Sequence, residues 1–387
     1  MLTNEPLNKM KKILFLLPTL FITNFNYAQN TVLDSLVQKN GFPFQIDKDI
    51  SFQGKGWDVL LDEIKQSNSV LLGETHFTNE IPYFTNAVIN EVKFDNYLLE
   101  VDPYSVDIIE TKIKSLSPEK LNLFVKEYYT NFSFLQYEPE FDLVKNLVKR
   151  NTKIYGSEQI SVFADQMIIS SLKETSKNKK VIEVYDQMLQ NSKIAASKEG
   201  LEKYYMLSED CLQKIDLLLK LKLSDNERKQ IEALKLSREI YTKRSHPLRI
   251  QLMKNILLTQ MPDWNNKKNL FKFGANHVPK GETILTKTDL YDIGSLISNI
   301  EEANYRKSLH IMLVGKGEDE NDNTSFKSFV NVVKEEQWYC FDLRPLKKSI
   351  LQNKLKVEDI YLSRIIKGYD YLIYIPKVTK SKDISIK

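Results

Sequence analysis

Residues 69–76, with the sequence SVLLGETH, decide the fold that this 387-residue chain is predicted to adopt. A nearly continuous apolar run of this length is typical of a strand buried on both faces, as in a parallel sheet covered by helices. Gly73 ends the run, and glycine lets the backbone turn at that point. The stretch therefore predicts a central strand with Glu74 and His76 at its carboxyl end.

The same pattern recurs along the chain in five further apolar runs of strand length. They lie at residues 97–101, 153–156, 270–273, 309–314 and 371–375. Between them are segments in which apolar residues recur at helical spacing. Alternating strands and helices predict an α/β fold with a mainly parallel sheet flanked by helices. Right-handed crossovers would place the carboxyl ends of the strands along one edge of that sheet.

A long charged stretch from about residue 159 to residue 260 interrupts the alternation. It is helical in pattern throughout, and Ser224 with Glu227 forms a capping box that starts one of its helices. We predict that it is a helical lid or bundle inserted into a single α/β domain over residues 29–387. Helices that simply pack on one face of the sheet are the alternative interpretation.

The N-terminal residues 1–28 have the pattern of a secretory signal peptide. Lys11 and Lys12 precede an apolar run over residues 13–25, and Ala28 precedes a polar residue. The run is too short to span a bilayer, which needs about 20 apolar residues. No cysteine lies near the expected cleavage point, so the pattern is not that of a lipoprotein. The sequence predicts a periplasmic or secreted protein with no membrane span in the mature chain.

The charge of the chain argues against a nucleic acid partner. The formal charge is +4, and removing residues 1–28, with three lysines and one glutamate, lowers it to about +2. Acidic and basic residues are then interspersed, whereas a nucleic-acid-binding face would need clustered basic residues. A solvated, partly frayed C-terminal end is expected to contain Lys377, Lys380, Lys382 and Lys387.

The chain has two cysteines, Cys211 and Cys340. In an oxidising compartment they could form a disulfide, and two unpaired buried thiols are the equal alternative. Their spacing fits neither a zinc ribbon nor a redox pair.

Polar residues that could carry chemistry follow three of the predicted strands: Glu74 and His76, Glu100 and Asp102, and Asn276 and His277. In open α/β sheets, ligands bind outside the carboxyl ends of the strands. Histidine has an unperturbed pKa near neutrality, so it can accept and return a proton. The three segments are predicted to form one site, with Asp102 as the residue most expected to be merely solvated.

Arg249 is a further candidate, because it lies at helical spacing with apolar residues. A buried guanidinium needs an anionic partner, which Glu74, Glu100 or a substrate could supply. A surface arginine is the alternative. The two remaining histidines are interpreted differently. His310 lies inside an apolar run, where a core histidine is expected, and His246 lies in the inserted region.

Four motifs, in this order along the chain, resemble those of the erythromycin esterase-like superfamily. They are LLGETH at residues 71–76, LLEVD at 98–102, RIQLMKN at 249–255 and FKFGANH at 271–277. The resemblance covers roughly residues 70–376 and implies an α/β fold with a helical lid. It also implies hydrolysis of an ester or lactone without a metal.

Carried over residue by residue, the resemblance implies that His76 is the general base that activates water. Glu74 and Glu100 would orient His76 or the water. His277 would assist chemistry at the carbonyl or the leaving group. Residues that support the site or bind substrate would be Arg249, Asn276 and Asp102.

The chain departs from the erythromycin esterase pattern at two points. One residue fewer separates Glu74 from His76, and Phe77 stands where those esterases usually have glycine. The shorter spacing is closer to related haem- or iron-binding lipoproteins and to metal-dependent peptidases. The alternatives are therefore a hydrolase that uses a divalent metal, or a protein that binds metal or haem, with suitable donors in Glu74, His76, Glu100 and His277. The sequence contains neither a Gly-x-Ser-x-Gly elbow nor a glycine-rich phosphate loop.

Overall fold

The computed structural model of the chain describes residues 31–47, 51–316, 324–334 and 336–384. The predicted signal peptide at residues 1–28 lies outside this part of the chain. Within it, no helix combines the length and the apolar character that crossing a membrane requires.

One sheet organises the described part of the chain. Its nine strands are β1 (Gly41–Ile46), β2 (Phe52–Gln53), β3 (Ser69–Glu74), β4 (Asn96–Leu99), β5 (Lys153–Gly156), β6 (Asn269–Gly274), β7 (Ser308–Gly315), β8 (Trp338–Asp342) and β9 (Tyr371–Ile375). Their order across the sheet is β2-β1-β8-β9-β7-β3-β6-β4-β5. The strands from β9 to β5 in this order are parallel and are those predicted from the sequence. The prediction of a mainly parallel α/β fold is confirmed.

The other edge of the sheet is antiparallel and is not predicted by the sequence. β1 contains Pro43 and is only partly buried, so it lacks a continuous apolar run. β2 has two residues, which is too short for any pattern. β8 is buried and rich in aromatic residues, and the rule used for the other strands could have found it.

Helices flank the sheet. The first, α1, covers residues 31–40. The others are α2 (Lys55–Gln66), α3 (Glu80–Glu91), α4 (Pro103–Ser115), α5 (Pro118–Tyr128), α6 (Glu138–Lys149), α7 (Asp165–Thr175), α8 (Lys179–Ala196), α9 (Glu209–Lys220), α10 (Asp225–Lys243), α11 (His246–Trp264), α12 (Ile293–Ala303), α13 (Lys327–Val330), α14 (Arg344–Leu351) and α15 (Ile360–Gly368). Capping residues fix several starts: Asp102 caps α4, Ser117 caps α5, and α10 begins with the predicted capping box.

Alternation along the buried strands divides the core between the two faces of the sheet. On β3, Val70 and Leu72 pack into a cluster with α2, α3, α4 and α6. Leu71 points to the opposite cluster, which contains residues of α1, α11, α12, α14 and α15. All three side chains are fully buried. Burying each contributes about 1.5–3 kcal/mol, so the sheet is a rigid support for the groups at its edge.

Five α-helices, α7 to α11, lie in the fully described stretch between β5 and β6, as predicted for residues 159–260. The first four bury an apolar cluster of their own, which includes Cys211. In contrast, α11 packs its apolar residues into the cluster on the sheet. The insertion is therefore attached to one face of the sheet through α11, and Met167 of α7 packs into the cluster on the other face. Cys211 and Cys340 are both buried and do not form a disulfide.

Residues 379–384 are bound rather than frayed, contrary to the expectation from Lys380 and Lys382, and Lys387 lies outside the described residues. Residues 379–384 form bridges with two loops at the sheet edge, Thr78 with Lys380 and Tyr137 with Asp383. Backbone hydrogen bonds to these loops satisfy the polar groups of the segment. We call residues 379–384 the C-terminal strap.

Candidate active site

The three predicted segments meet at one edge of the sheet, at the carboxyl ends of β3, β6 and β4. These strands are neighbours, with β6 in the middle. Glu74 is the last residue of β3 and pairs in register with Gly274 at the end of β6. Glu100 directly follows β4, and His277 ends the single turn after β6. The parallel register therefore brings together residues that are far apart in the sequence.

His76 lies between two glutamates. Its Nδ1 is 3.0 Å from Glu74 Oε1, and its Nε2 is 3.6 Å from Glu100 Oε2. Burial lowers the pKa of His76, but the hydrogen bond to Glu74 and the two carboxylate charges outweigh this, so the pKa is raised. The imidazole is 24% exposed, whereas both glutamates are buried. His76 is therefore the accessible member of this group.

His277 forms a second histidine–carboxylate pair beside the first. Its Nδ1 is 2.8 Å from Asp292 Oδ2, and its Nε2 is 3.5 Å from Glu100 Oε1. Asp292 is held in place because its other oxygen accepts the backbone N–H of Ile293 at the start of α12. Burial lowers the pKa of His277, but the charges of Glu100 and Asp292 outweigh this and raise it. Asp292 was not predicted as a site residue, because its position before an apolar helix indicates a helix start but not a contact with His277.

Glu100 is the centre of the cluster and lies close to both histidines. It accepts hydrogen bonds from the backbone N–H of Gly274 and from Arg249 Nη2, each at 2.6 Å. Burial raises the pKa of Glu100, but the surrounding positive groups outweigh this and hold the pKa at about 2. The carboxylate is therefore ionised at neutral pH. A Cβ atom at Gly274 would lie 2.7 Å from His76 Nε2, so glycine is needed to leave room for the imidazole.

Lys272 places a buried ammonium group beneath the cluster, in the middle of β6. It is 4% exposed, and its Nζ is 2.7 Å from Glu74 Oε2 and 2.6 Å from Glu140 Oε1. Burial raises the pKa of Glu74, but Lys272 and His76 outweigh this and lower it. Lys272 is not among the site residues predicted from the sequence. A charge inside an apolar strand needs a buried partner, and that rule could have identified it.

Arg249 reaches from α11 to the edge of the sheet. Besides Glu100 it binds Glu158, with Nε 3.1 and 3.0 Å from the two carboxylate oxygens. Of the anionic partners considered for Arg249, the structure shows Glu100. Glu158 follows β5 in the sequence GSE, with glycine before the acid as at Glu74. Glu158 was not predicted as a site residue, although the rule for strand ends applies to it equally.

Two other candidates lie beside the cluster. Asp102 caps α4 by accepting hydrogen bonds from the backbone N–H groups of Tyr104 and Ser105. It is 1% exposed and so is not solvated as expected, and burial raises its pKa to about 6. Asn276 is half-buried and directly precedes His277.

The remaining histidines differ from each other. His310, in β7, is fully buried, and its Nδ1 and Nε2 lie 2.6 Å from Val278 O and 3.1 Å from Ser308 Oγ. The burial and the two ring contacts confirm the prediction of a core histidine, and burial lowers the pKa of His310 to about 4. His246 opens α11, and its ring centroid is 6.1 Å from that of His277.

The cluster has the groups needed to move protons. It combines an accessible imidazole backed by a carboxylate with a second, buried imidazole nearby. Across the described residues, no group of three or more histidine, cysteine, aspartate or glutamate side chains is placed to hold a metal ion. The carboxylates of Glu74 and Glu100 instead contact Lys272, Arg249 and the histidines.

These features define an α/β protein with a histidine–carboxylate cluster at the carboxyl edge of its sheet. Solved structures with a similar fold include a Bacillus cereus protein (14% identity, 92% of this chain and 99% of that one, TM-score 0.53). A succinoglycan biosynthesis protein is also similar (14% identity, 93% and 99%, TM-score 0.56). So is an erythromycin esterase mutant in its open conformation (12% identity, 85% and 95%, TM-score 0.53). No protein-family model and no curated protein matches the sequence. The chain therefore shares the fold of an erythromycin esterase, as the resemblance of its motifs implies.

Proposed function

We propose that the protein is a hydrolase that activates water with His76 and cleaves an ester or lactone bond in a small molecule. The observation that carries the proposal is the accessible imidazole of His76, whose Nδ1 lies 3.0 Å from Glu74. A carboxylate at Nδ1 favours the tautomer in which Nε2 is unprotonated and can accept a proton. The fold shared with an erythromycin esterase supports the same class of reaction.

In the proposed reaction, neutral His76 takes a proton from water as the water oxygen attacks the ester carbonyl. The charges of Glu74 and Glu100 stabilise the imidazolium that forms. His76 then returns the proton to the leaving alcohol oxygen as the carbon–oxygen bond breaks. In its protonated form, His277 would donate a hydrogen bond from Nε2 to the carbonyl oxygen. Arg249 would keep the acidic cluster ionised.

Replacement of His76 tests the role of the base. We expect His76→Ala to lower the hydrolysis of a generic ester such as nitrophenyl acetate by about 100-fold or more. The circular dichroism spectrum should stay that of the folded protein. Added imidazole should restore part of the activity, because a small base can occupy the vacated space. Undiminished turnover in the folded variant would disprove the role of His76.

Metal analysis and chelation separate this proposal from the metal-dependent alternative. Activity that survives dialysis against EDTA, in protein without bound metal, would support general-base catalysis. A loss of activity that zinc or manganese restores would favour a metal-dependent hydrolase, with donors among Glu74, His76, Glu100 and His277. A Soret band on titration with haem would favour a binding protein.

We also propose that the protein is exported, on the strength of the sequence pattern at residues 1–28. N-terminal sequencing of protein from the periplasm or the medium should find a start near Gln29. An uncleaved chain in the cytoplasm would contradict export.

A further inference from the structure

Phe77, the residue after the proposed base, has an unusual backbone conformation. Its φ is 71°, in the left-handed region that residues with a Cβ rarely adopt. The side chain is 51% exposed, so burial of the ring in the core does not explain the conformation. Backbone strain of this kind is concentrated at functional sites, where the surrounding structure maintains it.

Phe77 belongs to a group of aromatic residues beside His76. Phe134 stacks on the imidazole of His76, with ring centroids 4.4 Å apart and 18° between the planes. The ring of Phe77 lies 5.8 Å from that of Phe134 and 5.6 Å from that of Tyr137, edge to face with the latter. We call Phe77, Phe134 and Tyr137 the aromatic wall. It places aromatic surface directly next to the proposed base.

The C-terminal strap connects the two loops that form the aromatic wall. The backbone N–H of Ser381 donates to Phe77 O at 2.8 Å, and that of Ile384 donates to Gln136 O at 3.0 Å. Together with the two bridges of the strap, these bonds join the loop of Phe77 to the loop of the other two rings. The strap therefore fixes the position of the wall and the strained backbone within it.

We propose that the aromatic wall is a specificity subsite for a flat apolar ring bonded directly to the ester group of the substrate. The inference rests on the proposed function, since His76 determines where the scissile carbonyl lies.

Water activated by His76 must attack a carbonyl carbon at about 3–3.5 Å. A group bonded to the ester therefore lies close to rings that pack on the imidazole. Aromatic faces and edges bind flat apolar rings by offset stacking and edge-to-face contact. Phe77 is the most exposed member of the wall and so determines the preference.

The test compares three esters in the wild-type protein and in Phe77→Gly, which removes the ring and permits the observed φ. Phenyl acetate has its ring on the alcohol side, its isomer methyl benzoate has the ring on the acyl side, and methyl acetate has no ring. For each ester we take the quotient of kcat/KM in the variant and kcat/KM in the wild type. This quotient cancels the intrinsic reactivity of the ester. We expect this quotient to be about twofold to tenfold lower for at least one aromatic ester than for methyl acetate, mainly through KM. The ester that responds identifies the side of the substrate that contacts the wall.

Tyr305→Gly is the matched control. Tyr305 is also aromatic and has a φ of 57°, but it is fully exposed and precedes β7 at the opposite edge of the sheet. Its quotients should be equal for the three esters. Equal quotients in Phe77→Gly would overturn the subsite while leaving the chemistry of His76 intact. A wild-type protein that hydrolyses none of the esters would overturn the proposed function and the subsite with it.

Discussion

The backbone of Phe77 leads to an unusual prediction for stability. A left-handed conformation costs a residue with a Cβ about 1–2 kcal/mol, and φ at Phe77 is 71°. Phe77→Ala keeps this cost and Phe77→Gly removes it, although both variants lose the ring. We expect the free energy of unfolding in urea to be about 1 kcal/mol higher for Phe77→Gly than for Phe77→Ala.

Tyr83 provides the control for this comparison, because it is also aromatic and lies within α3, where the backbone is helical. At this position alanine should be more stable than glycine by about 0.5–1 kcal/mol, since glycine loses more conformational entropy on folding. Alanine that is more stable than glycine at both positions would argue against strain at Phe77.

Glu74 sets the pH range in which the proposed base works. His76 must be neutral to accept a proton, so kcat/KM should rise with pH through the raised pKa of His76. Glu74→Gln removes the main group that raises this pKa, so the rising limb should move to lower pH by about 1 unit. The control Glu91→Gln changes an exposed glutamate at the end of α3 and should leave the limb in place. An unmoved limb in Glu74→Gln would mean that another group titrates there.

Single residues of the site were predictable where a general rule applied to them. The rule that ligands bind outside the carboxyl ends of buried strands identified Glu74, His76, Glu100 and His277 as candidates. Lys272 and Glu158 obey equally general rules and could have been found. Phe134 and Asp292 could not, because their approach to the histidines depends on how a loop and a helix start pack against the sheet.

At the level of elements, the start of α12 has two roles that substitution can separate. Asp292 caps the helix through Oδ1 and binds His277 through Oδ2. Asparagine caps a helix about as well as aspartate but has no charge, whereas alanine neither caps the helix nor carries a charge. Asp292→Ala should therefore be about 1 kcal/mol less stable than Asp292→Asn. Both variants should lower the pKa of His277, which NMR titration can measure.

The effect of these variants on catalysis follows from the direction in which the pKa of His277 shifts. Protonated His277 is the form proposed to bind the carbonyl oxygen, so activity should fall as pH rises through its raised pKa. When the charge of Asp292 is removed, the falling limb should move to lower pH in both variants. A limb that moves in Asp292→Ala alone would show that the helix start, rather than the charge, controls His277.

The parallel strands were predictable for a reason that does not extend to the rest of the fold. Strands covered on both faces, such as β3 and β6, need continuous apolar runs. β1 is partly exposed and therefore has no such run. The C-terminal strap is held by backbone hydrogen bonds, which side chains of many kinds permit, so its lysines gave no sign of it.

In the molecule as a whole, Arg249 connects the helical insertion to the site. The insertion has its own apolar core in α7 to α10. From α11, Arg249 binds Glu100 after β4 and Glu158 after β5. The sequence predicted the insertion and the strand ends as separate features. Their connection through one guanidinium is a property of the assembled fold.

Arg249→Met should therefore destabilise the whole protein. The variant leaves the buried carboxylates of Glu100 and Glu158 without their cation, and removing one partner of a buried ion pair costs about 3–5 kcal/mol. Arg228→Met is the control, because this arginine of α10 is 43% exposed and pairs with Glu232 at the surface. Arg228→Met should lower the free energy of unfolding by less than about 1 kcal/mol, measured by urea unfolding at neutral pH.

The stability deficit of Arg249→Met should also depend on pH, and its sign follows from the two carboxylates. Without the cation the pKa of each carboxylate rises in the folded protein. A folded state with a raised carboxylate pKa binds more protons than the unfolded state and so loses stability as pH increases through that range. The deficit should therefore shrink when unfolding is measured at about pH 5 instead of about pH 8. A deficit that is the same at both pH values would show that Arg249 stabilises the protein by packing rather than by charge, and the insertion would then be joined to the site without an ionic link.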